Sequence, residues 1–263
     1  MRAAWFCLAI ACGYAQTGAP SPADQKALIA RMREAAVNYG ERLQDFSCLQ
    51  HTERSTDNES NGKHWKHIDF LEHRVDYVDH HERYRLLNVN GKTNDLAKRI
   101  RKGHFAPGGE FGSRLRHIFV PIAQAQFAWE RTEEIGGRRA CVFRYRVAEE
   151  TSTLAMEVND QSVTLGHHGF VHADCDTGAV LRIEIETDPA WAWLGGRRYA
   201  VGAQVDLRYG MATIGAKEFL VPLEAVEIAR FGSTLSKADV KFKNYRKYDA
   251  DSSIKFDTGE GKQ

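Results

Sequence analysis

The chain has 263 residues, and its 36 lysines and arginines nearly balance its 35 aspartates and glutamates, with the two signs interspersed. This balance gives no electrostatic reason to expect nucleic acid as a partner or an anionic membrane as a docking surface. Hydrophobic residues make up 43% of the chain, which excludes a disordered adaptor and allows a substantial core.

The first fifteen residues are typical of an export signal. Arg2 precedes an apolar run, and the small residues Gly13 and Ala15 precede a cleavage site before Gln16. The apolar run is too short to cross a membrane as a helix, which takes about 20 apolar residues. We therefore predict a signal peptide at 1–15 and a periplasmic or secreted protein with peripheral or no membrane contact.

Cys12 leaves a second interpretation of this segment open. The letters LAIAC that end at Cys12 loosely match a bacterial lipoprotein signal, in which the cysteine is lipid-modified and becomes the first mature residue. Lipidation would leave an anchored protein, whereas cleavage before Gln16 would leave a diffusing one. Cleavage before Gln16 is the default prediction, because alanine stands where such signals usually carry leucine.

The mature chain is predicted to form one domain. No low-complexity linker interrupts it after about residue 22. We expect a flexible linker at 16–22, a single domain at 23–257 and a flexible tail at 258–263.

A helix is predicted at the start of this domain. Ser21 or Asp24 can cap it, apolar residues recur at helical spacing from Ala27 to Tyr39, and Gly40 is the expected stop.

From Phe46 onward the hydrophobic period changes from helical to two, which predicts strands with one wet and one dry face. Apolar residues alternate with charged ones around positions 71–77, 141–147, 181–186 and 205–211. Short turn signals such as Asn90-Gly91 separate these runs, and no helix of crossover length lies between them. The fold class is therefore mainly β within α+β: a curved antiparallel sheet of about nine to eleven strands that forms an incomplete barrel.

A short amphipathic helix is predicted near 110–119. It places Phe111, Leu115, Ile118 and Phe119 on one face and the two arginines at 114 and 116 on the other. With the N-terminal helix it should cover the dry face of the sheet.

Three cysteines remain after removal of the signal: Cys48, Cys141 and Cys175. In an oxidising compartment two of them can form a disulfide. We favour Cys141 with Cys175, since both lie on strand candidates that can be neighbours. The alternative is three unpaired thiols.

No local motif predicts an enzyme, a metal site or a cofactor. The chain has no HExxH, CxxC, GxSxG or phosphate-loop pattern. His168 and His172 share one face of a strand, but their Cα atoms would be about 13 Å apart, too far for one ion. An active site assembled from distant residues stays open as the third functional hypothesis.

Two tryptophans stand at period two in a segment led by proline. Trp191, Trp193 and Leu194 are expected either to pack in the core or to form an exposed rim at a cavity mouth.

Several strand-turn-strand phrases resemble one known superfamily. They lie at 88–92 (NVNGK), 109–115 (GEFGSRL), 127–131 (FAWER), 136–139 (GGRR), 168–174 (HGFVHAD), 178–183 (GAVLRI), 217–222 (KEFLVP), 244–248 (NYRKY) and 252–256 (SSIKF). In these the chain resembles the LolA/LolB-like superfamily of bacterial periplasmic lipoprotein carriers and their outer-membrane acceptors. The resemblance implies an incomplete barrel of about eleven antiparallel strands, covered by helices, around a hydrophobic cavity that in the characterised carriers takes up the acyl chains of a client.

The first functional hypothesis is thus a periplasmic carrier or binding protein for a lipid or an acylated protein client. The residues expected to line its cavity are the apolar members of the alternating strands and of the short helix. They are Leu71, Val75, Phe111, Leu115, Phe119, Phe143, Tyr145, Leu181, Ile183, Leu207 and Tyr209. The second hypothesis is a non-catalytic structural or sensory module of the envelope, whose core is filled by its own side chains and whose partners are proteins.

Overall fold

A computed structural model describes residues 19–96, 108–159 and 161–249. The predicted signal peptide, Cys12 and the predicted tail at 258–263 lie outside these ranges. None of the helices in the described part of the chain is long and apolar enough to span a membrane.

Three α-helices are described. They are α1 (Pro22–Val37), α2 (Tyr39–Arg42) and α3 (Ser113–Phe119). The Ser21 hydroxyl accepts a hydrogen bond from the Asp24 backbone N–H at 3.2 Å, and Pro22 occupies the first helical position, where it costs no hydrogen bond.

The sequence suggested that Gly40 ends the first helix. In the structure α1 ends at Val37, and Gly40 lies inside α2. The Tyr77 hydroxyl donates to the Gly40 carbonyl at 3.2 Å, and a Cβ on Gly40 would stand 2.8 Å from the same hydroxyl. The glycine is therefore required by the close approach of a strand side chain, a tertiary contact, rather than by a helix cap.

Thirteen strands account for most of the rest. They are β1 (Phe46–Asp57), β2 (Lys66–Val78), β3 (His81–Val89), β4 (Gln126–Ile135), β5 (Arg138–Val147), β6 (Ala155–Val158), β7 (Gln161–Thr164), β8 (His167–Asp174), β9 (Val180–Thr187), β10 (Ala190–Leu194), β11 (Arg197–Ile214), β12 (Lys217–Phe231) and β13 (Thr234–Lys247). Eleven of them form one antiparallel sheet in the order β3-β2-β1-β13-β12-β11-β9-β8-β5-β4, with β10 paired to β11 beside this path. The strands β6 and β7 form a separate hairpin.

The sheet is not closed into a barrel, since β3 and β4 end the path and do not pair with each other in the described residues. Shifts of register interrupt several strand pairs, for example between Ser47 and Leu49 and between Arg208 and Tyr209. Such bulges bend strands and increase twist, which curls the long sheet. The predicted fold class, an incomplete antiparallel barrel with covering helices, is confirmed.

One face of the sheet, here called the inner face, carries the core. Alternate residues of each strand enter it, as in β9, where Ile183 and Ile185 are buried and Glu184 between them is not. Helices α1 and α3 lie on this face and add Leu28, Met32 and other buried residues to one continuous cluster. The opposite face, the outer face, holds most of the charged side chains.

The short helix α3 begins at Ser113, and its apolar side chains are buried as predicted, with Leu115 and Phe119 each 1% exposed. The assignment of Arg114 to its wet face is wrong. Arg114 turns toward the inner face and pairs with Glu227 of β12 at 2.8 Å. Of the two arginines, only Arg116 stays exposed.

A disulfide joins Cys141 of β5 to Cys175 in the turn after β8, and Cys48 is free and buried. Arg31 of α1 donates to the Cys175 carbonyl at 3.3 Å. In the same turn Gly178 has a φ of 75°, and a Cβ there would lie 2.9 Å from the Met32 backbone nitrogen. The turn thus docks directly on α1.

Replacing both bridged cysteines (Cys141→Ser with Cys175→Ser) should lower the free energy of unfolding by about 3–4 kcal/mol, because the bridge closes a loop with a sequence separation of 34. Urea unfolding of wild type and variant measures the difference. Cys48→Ala, which removes a buried thiol but no cross-link, is the matched control. An unchanged midpoint in the double variant would contradict the prediction.

Candidate functional site

All eleven residues predicted to line a cavity are buried on the folded chain, at 5% exposure or less. All but Leu71 and Leu181 belong to the continuous cluster under the helices. The strands and α3 therefore bring nine of the predicted residues together, and in this structure these nine belong to one packed cluster.

Phe111, just before α3, occupies the centre of this packing. Its ring centre lies 5.1 Å from that of Phe46 and 5.2 Å from that of Phe242, on strands β1 and β13. At the other end of the helix, Phe119 stacks on Phe127 at 5.5 Å. Aromatic contacts of this kind contribute about 0.5–1.5 kcal/mol each beyond the buried area. They hold α3 at both of its ends.

An apolar cavity of 200 Å³ remains where α1 and α2 meet the sheet. Its lining includes Leu115 of α3 and is otherwise supplied by the two helices and by strand ends. These other residues are Ala35, Ala36, Tyr39, Arg42, Leu43, Ala179, Val180, Glu218, Phe219 and Leu220.

A polar seam, which the sequence analysis missed, runs between α3 and the inner face. Glu227 is 1% exposed, Glu110 is 0% exposed, and Arg114 pairs with Glu227. Glu227 lies opposite Val205 and Ala238 in the strand register, so its carboxylate stands among core residues. We call Glu110, Arg114 and Glu227 the seam triad.

Burial shifts the protonation of both acids. It raises the pKa of Glu110 to about 8, the Glu227 carboxylate adds to this rise, and the Arg114 guanidinium opposes it. Burial likewise raises the pKa of Glu227, again against the effect of Arg114. One arginine cannot compensate two carboxylates removed from water, so the triad favours a bound proton.

The loop before α3 is held from strand β3. The Glu82 carboxylate accepts hydrogen bonds from the backbone N–H groups of Gly109 and Phe111, each at 3.2 Å, and one from the Tyr84 hydroxyl. The Tyr84 hydroxyl also contacts Glu110 at 3.2 Å. Burial and the two glutamates raise the pKa of Tyr84. These contacts connect the seam triad to the edge strand of the open sheet.

A second buried ion pair lies on the same face. Arg54 of β1 binds Asp69 of β2 through Nε and Nη2, both at 2.7 Å, and the two side chains are almost fully buried. Arg54 lies opposite Ala238, whose other neighbour is Glu227. The pair and the triad thus belong to one row of the inner face.

Several buried side-chain atoms in this region have no hydrogen-bond partner. They are Gln50 Nε2, Thr52 Oγ1, His73 Nδ1, Glu110 Oε1, Arg114 Nε and Glu227 Oε1. Each such atom costs about 1–3 kcal/mol relative to a satisfied one, and a packed core normally contains few of them. Glu110, Arg114 and Glu227 each contribute one of these atoms, so the seam is an incompletely paired polar contact within the core.

One sequence signal could have found the seam. In β1 the three successive inner positions after Cys48 are Gln50, Thr52 and Arg54, which are polar where an ordinary core strand carries aliphatic residues. The partner of Arg114 could not be found in this way, because Glu227 is 113 positions away.

The three predicted rim residues do not lie on one face of the sheet. Trp191 and Trp193 are 44% and 59% exposed, whereas Ala192 between them is buried in the cluster. Leu194 packs against the cluster, on the same side as Ala192. The tryptophans therefore lie on the outer face, and Leu194 does not share their surface, because neighbours in a strand alternate.

The histidines do not assemble a metal site, since no group of three or more potential ligands occurs in the described ranges. His172 is fully buried and contacts Glu133 at 2.6 Å and Glu184 at 3.0 Å. His168 contacts Asp188 at 3.2 Å. Each of these two histidines therefore contacts its own carboxylates on the outer face.

No family model and no curated protein sequence matches the chain. Among solved structures, it is similar to a LolA superfamily protein from Nitrosomonas europaea, with 11% identity and a TM-score of 0.33 over 85% of this chain and 93% of that one. It is also similar to a DUF1329 family protein from Desulfovibrio piger, with 9% identity and a TM-score of 0.37 over 87% and 94%. The complex of MucA and MucB from Pseudomonas aeruginosa is matched at 12% identity and a TM-score of 0.23 over 86% and 100%.

The raised pKa of Glu110 makes stability depend on pH. A carboxyl with a raised folded-state pKa takes up a proton on folding, so its contribution is complete below the unfolded value of about 4.3 and is lost as the pH rises through the folded value. The folded value is about 8. The free energy of unfolding should therefore fall between about pH 5 and about pH 8, by at most about 1.4 kcal/mol per pH unit from this group.

Urea unfolding of wild type and Glu110→Gln across this range checks the prediction. In Glu110→Gln the free energy of unfolding should lose this part of its dependence on pH. The exposed Glu224→Gln should keep it. Identical slopes in wild type and Glu110→Gln would show that Glu110 does not bind the proton.

Proposed function

We propose that this protein is an exported, non-enzymatic carrier or binding protein that takes an acyl chain or a similar apolar ligand onto the inner face, under helix α3. Its client is a lipid or an acylated protein, and its place is the periplasm. The observation that carries the proposal is the polar seam: the lid helix closes over an apolar surface through a contact in which Glu110, Arg114 and Glu227 each keep one buried polar atom without a hydrogen-bond partner.

This observation supports the carrier over the filled structural module. A core that is permanently filled gains nothing from the Glu110 and Glu227 carboxylates, each of which keeps one oxygen without a hydrogen-bond partner, since apolar residues of similar volume usually stabilise such a site at least as well. A contact that must open and reclose can keep these groups, because water satisfies them in the open form. The seam thus fits a ligand cavity between α3 and the inner face, here called the chamber, that opens to take up and release its ligand.

The geometry of α3 suits a movable cover. The helix has seven residues, Ser113–Phe119; Glu82 holds the loop before it, and Glu227 holds its second residue, Arg114. Releasing these polar contacts would expose the apolar faces of Leu115 and Phe119 together with the strands beneath them. The 200 Å³ cavity beside Leu115 supports entry at this edge.

The energy available to such a ligand is sufficient without specific polar contacts. Each methylene removed from water contributes about 0.8 kcal/mol. A chain of several methylenes would therefore offset the loss of the helix contacts, which an empty protein regains by closing.

Removing the seam ion pair should ease opening. The double variant Arg114→Gln with Glu227→Gln removes both charges and is expected to take up a fluorescent acyl probe, dansyl-undecanoic acid, faster than wild type. The matched control is Arg208→Gln with Glu224→Gln, which removes an exposed pair of 3.0 Å from the neighbouring strands. Stopped-flow fluorescence gives both rates. Equal rates in the two double variants would contradict a role of the seam in opening.

Shortening the apolar side chains of α3 tests the same chamber. Leu115→Ala with Phe119→Ala should change uptake of the probe more than it changes the folded fraction at the assay temperature, measured by circular dichroism. If the variant loses folding and uptake to the same degree, α3 is core and not a lid.

The content of the chamber is tested on protein purified from its own periplasm. Native mass spectrometry should show a bound lipid that is removed by organic extraction. A clean apo mass, together with no uptake of the probe by wild type, would favour the filled envelope module.

A further inference from the structure

A groove crosses the outer face of the sheet, on the side away from the proposed chamber. It consists of two adjoining cavities of 490 Å³ and 420 Å³, which share Glu186, Gln204 and Ile228. Each volume lies within the range of small-molecule sites, about 300–1,000 Å³. We call the two cavities together the outer groove.

The groove exists because strand β11 presents small residues outward at one point. Ala200 lies opposite Trp191 of β10, and Gly202 lies opposite Arg230 of β12. The larger neighbours on both sides rise above this floor and form the walls.

Two indole rings stand in the walls of the larger cavity. Trp191 is covered by the Arg198 guanidinium, whose carbon lies 4.4 Å from the ring centre. Trp65 donates from its ring nitrogen to the Gly62 carbonyl at 3.0 Å, and the Lys237 ammonium lies 5.5 Å from its ring centre. Both rings are thus oriented before any ligand arrives, which reduces the entropy lost on binding.

Four carboxylates line the groove, and Arg230 in its lining and the neighbouring Arg182 and Arg146 offset most of their charge. Arg182 pairs with Asp206 at 2.6 Å, and Arg146 pairs with Asp188 at 2.8 Å. The Glu186 side chain is 58% exposed, and its nearest donor is the Gln204 amide at 3.4 Å. No strong field of one sign therefore selects a highly charged ligand, while donors and acceptors for hydrogen bonds remain available.

We propose that the outer groove binds a neutral oligosaccharide. Sugar rings present C–H faces that can lie against the indoles of Trp191 and Trp65. Their hydroxyls both donate and accept, so they can pair with the Glu186 carboxylate, which only accepts, and with the Gln204 amide, which does both. A polyanion would be repelled by Glu186, and an acyl chain would remove this carboxylate from water without offering it a hydrogen-bond donor.

This site is independent of the proposed function. It lies on the opposite face from α3 and the seam triad, and its lining contains none of the eleven residues predicted to line the inner cavity. A protein with both sites would hold a glycan on its outside while it carries an apolar ligand inside.

Isothermal titration of the exported protein with two probes, cellotetraose and tetra-N-acetylchitotetraose, tests the proposal. At least one should bind, and Trp191→Ala should weaken its binding about tenfold or more, which corresponds to about 1.4 kcal/mol. The matched control is Trp193→Ala, since Trp193 is exposed on the same face of the same strand but does not line the groove. Glu186→Gln should weaken binding without changing the melting temperature.

Saturation with dansyl-undecanoic acid should leave oligosaccharide binding unchanged, which distinguishes this site from the chamber. The proposal is overturned if neither probe binds to wild type, if Trp191→Ala and Trp193→Ala lose affinity equally, or if the acyl probe competes with the sugar. Failure of acyl uptake alone would not contradict the oligosaccharide proposal.

Discussion

The contact between helix α3 and the inner face of the sheet is the interaction on which the rest of the structure depends. An antiparallel sheet that does not close on itself must cover one apolar face, and here a helix of seven residues and the N-terminal helix provide the cover. Phe111 anchors the start of this cover among the aromatic rings of β1 and β13. Without it, the row of aliphatic side chains on the central strands would face water.

The same contact contains groups that weaken it. Glu110, Arg114 and Glu227 are removed from water with fewer partners than they can use, so the cover is held by apolar packing against an electrostatic cost. Such a balance is sensitive to protonation and to the arrival of an apolar competitor. A short helix with this combination is better suited to exchange between closed and open forms than an entirely apolar one.

The two faces of the sheet offer different chemistry because each strand divides its residues between them. The inner face places aromatic and aliphatic side chains under the helices, with the polar row at one level. The outer face places ion pairs such as Arg182 with Asp206 beside exposed tryptophans. A single period of two therefore produces an apolar, packed inner face and a polar, aromatic outer face from the same segments of chain.

The sequence by itself determined the fold class, since alternation in β5, β9 and β11 is a local pattern that survives any arrangement of the strands. It also indicated which apolar residues enter the core and where the short helix lies. Only the tertiary structure decided the direction of Arg114, the need for glycine at position 40, and the separation of Leu194 from the two tryptophans. These depend on contacts between residues far apart in the chain, such as Arg114 with Glu227 and Gly40 with Tyr77. A local period assigns a residue to a face, but the partner that it meets there is set by strand order and by the curvature of the sheet.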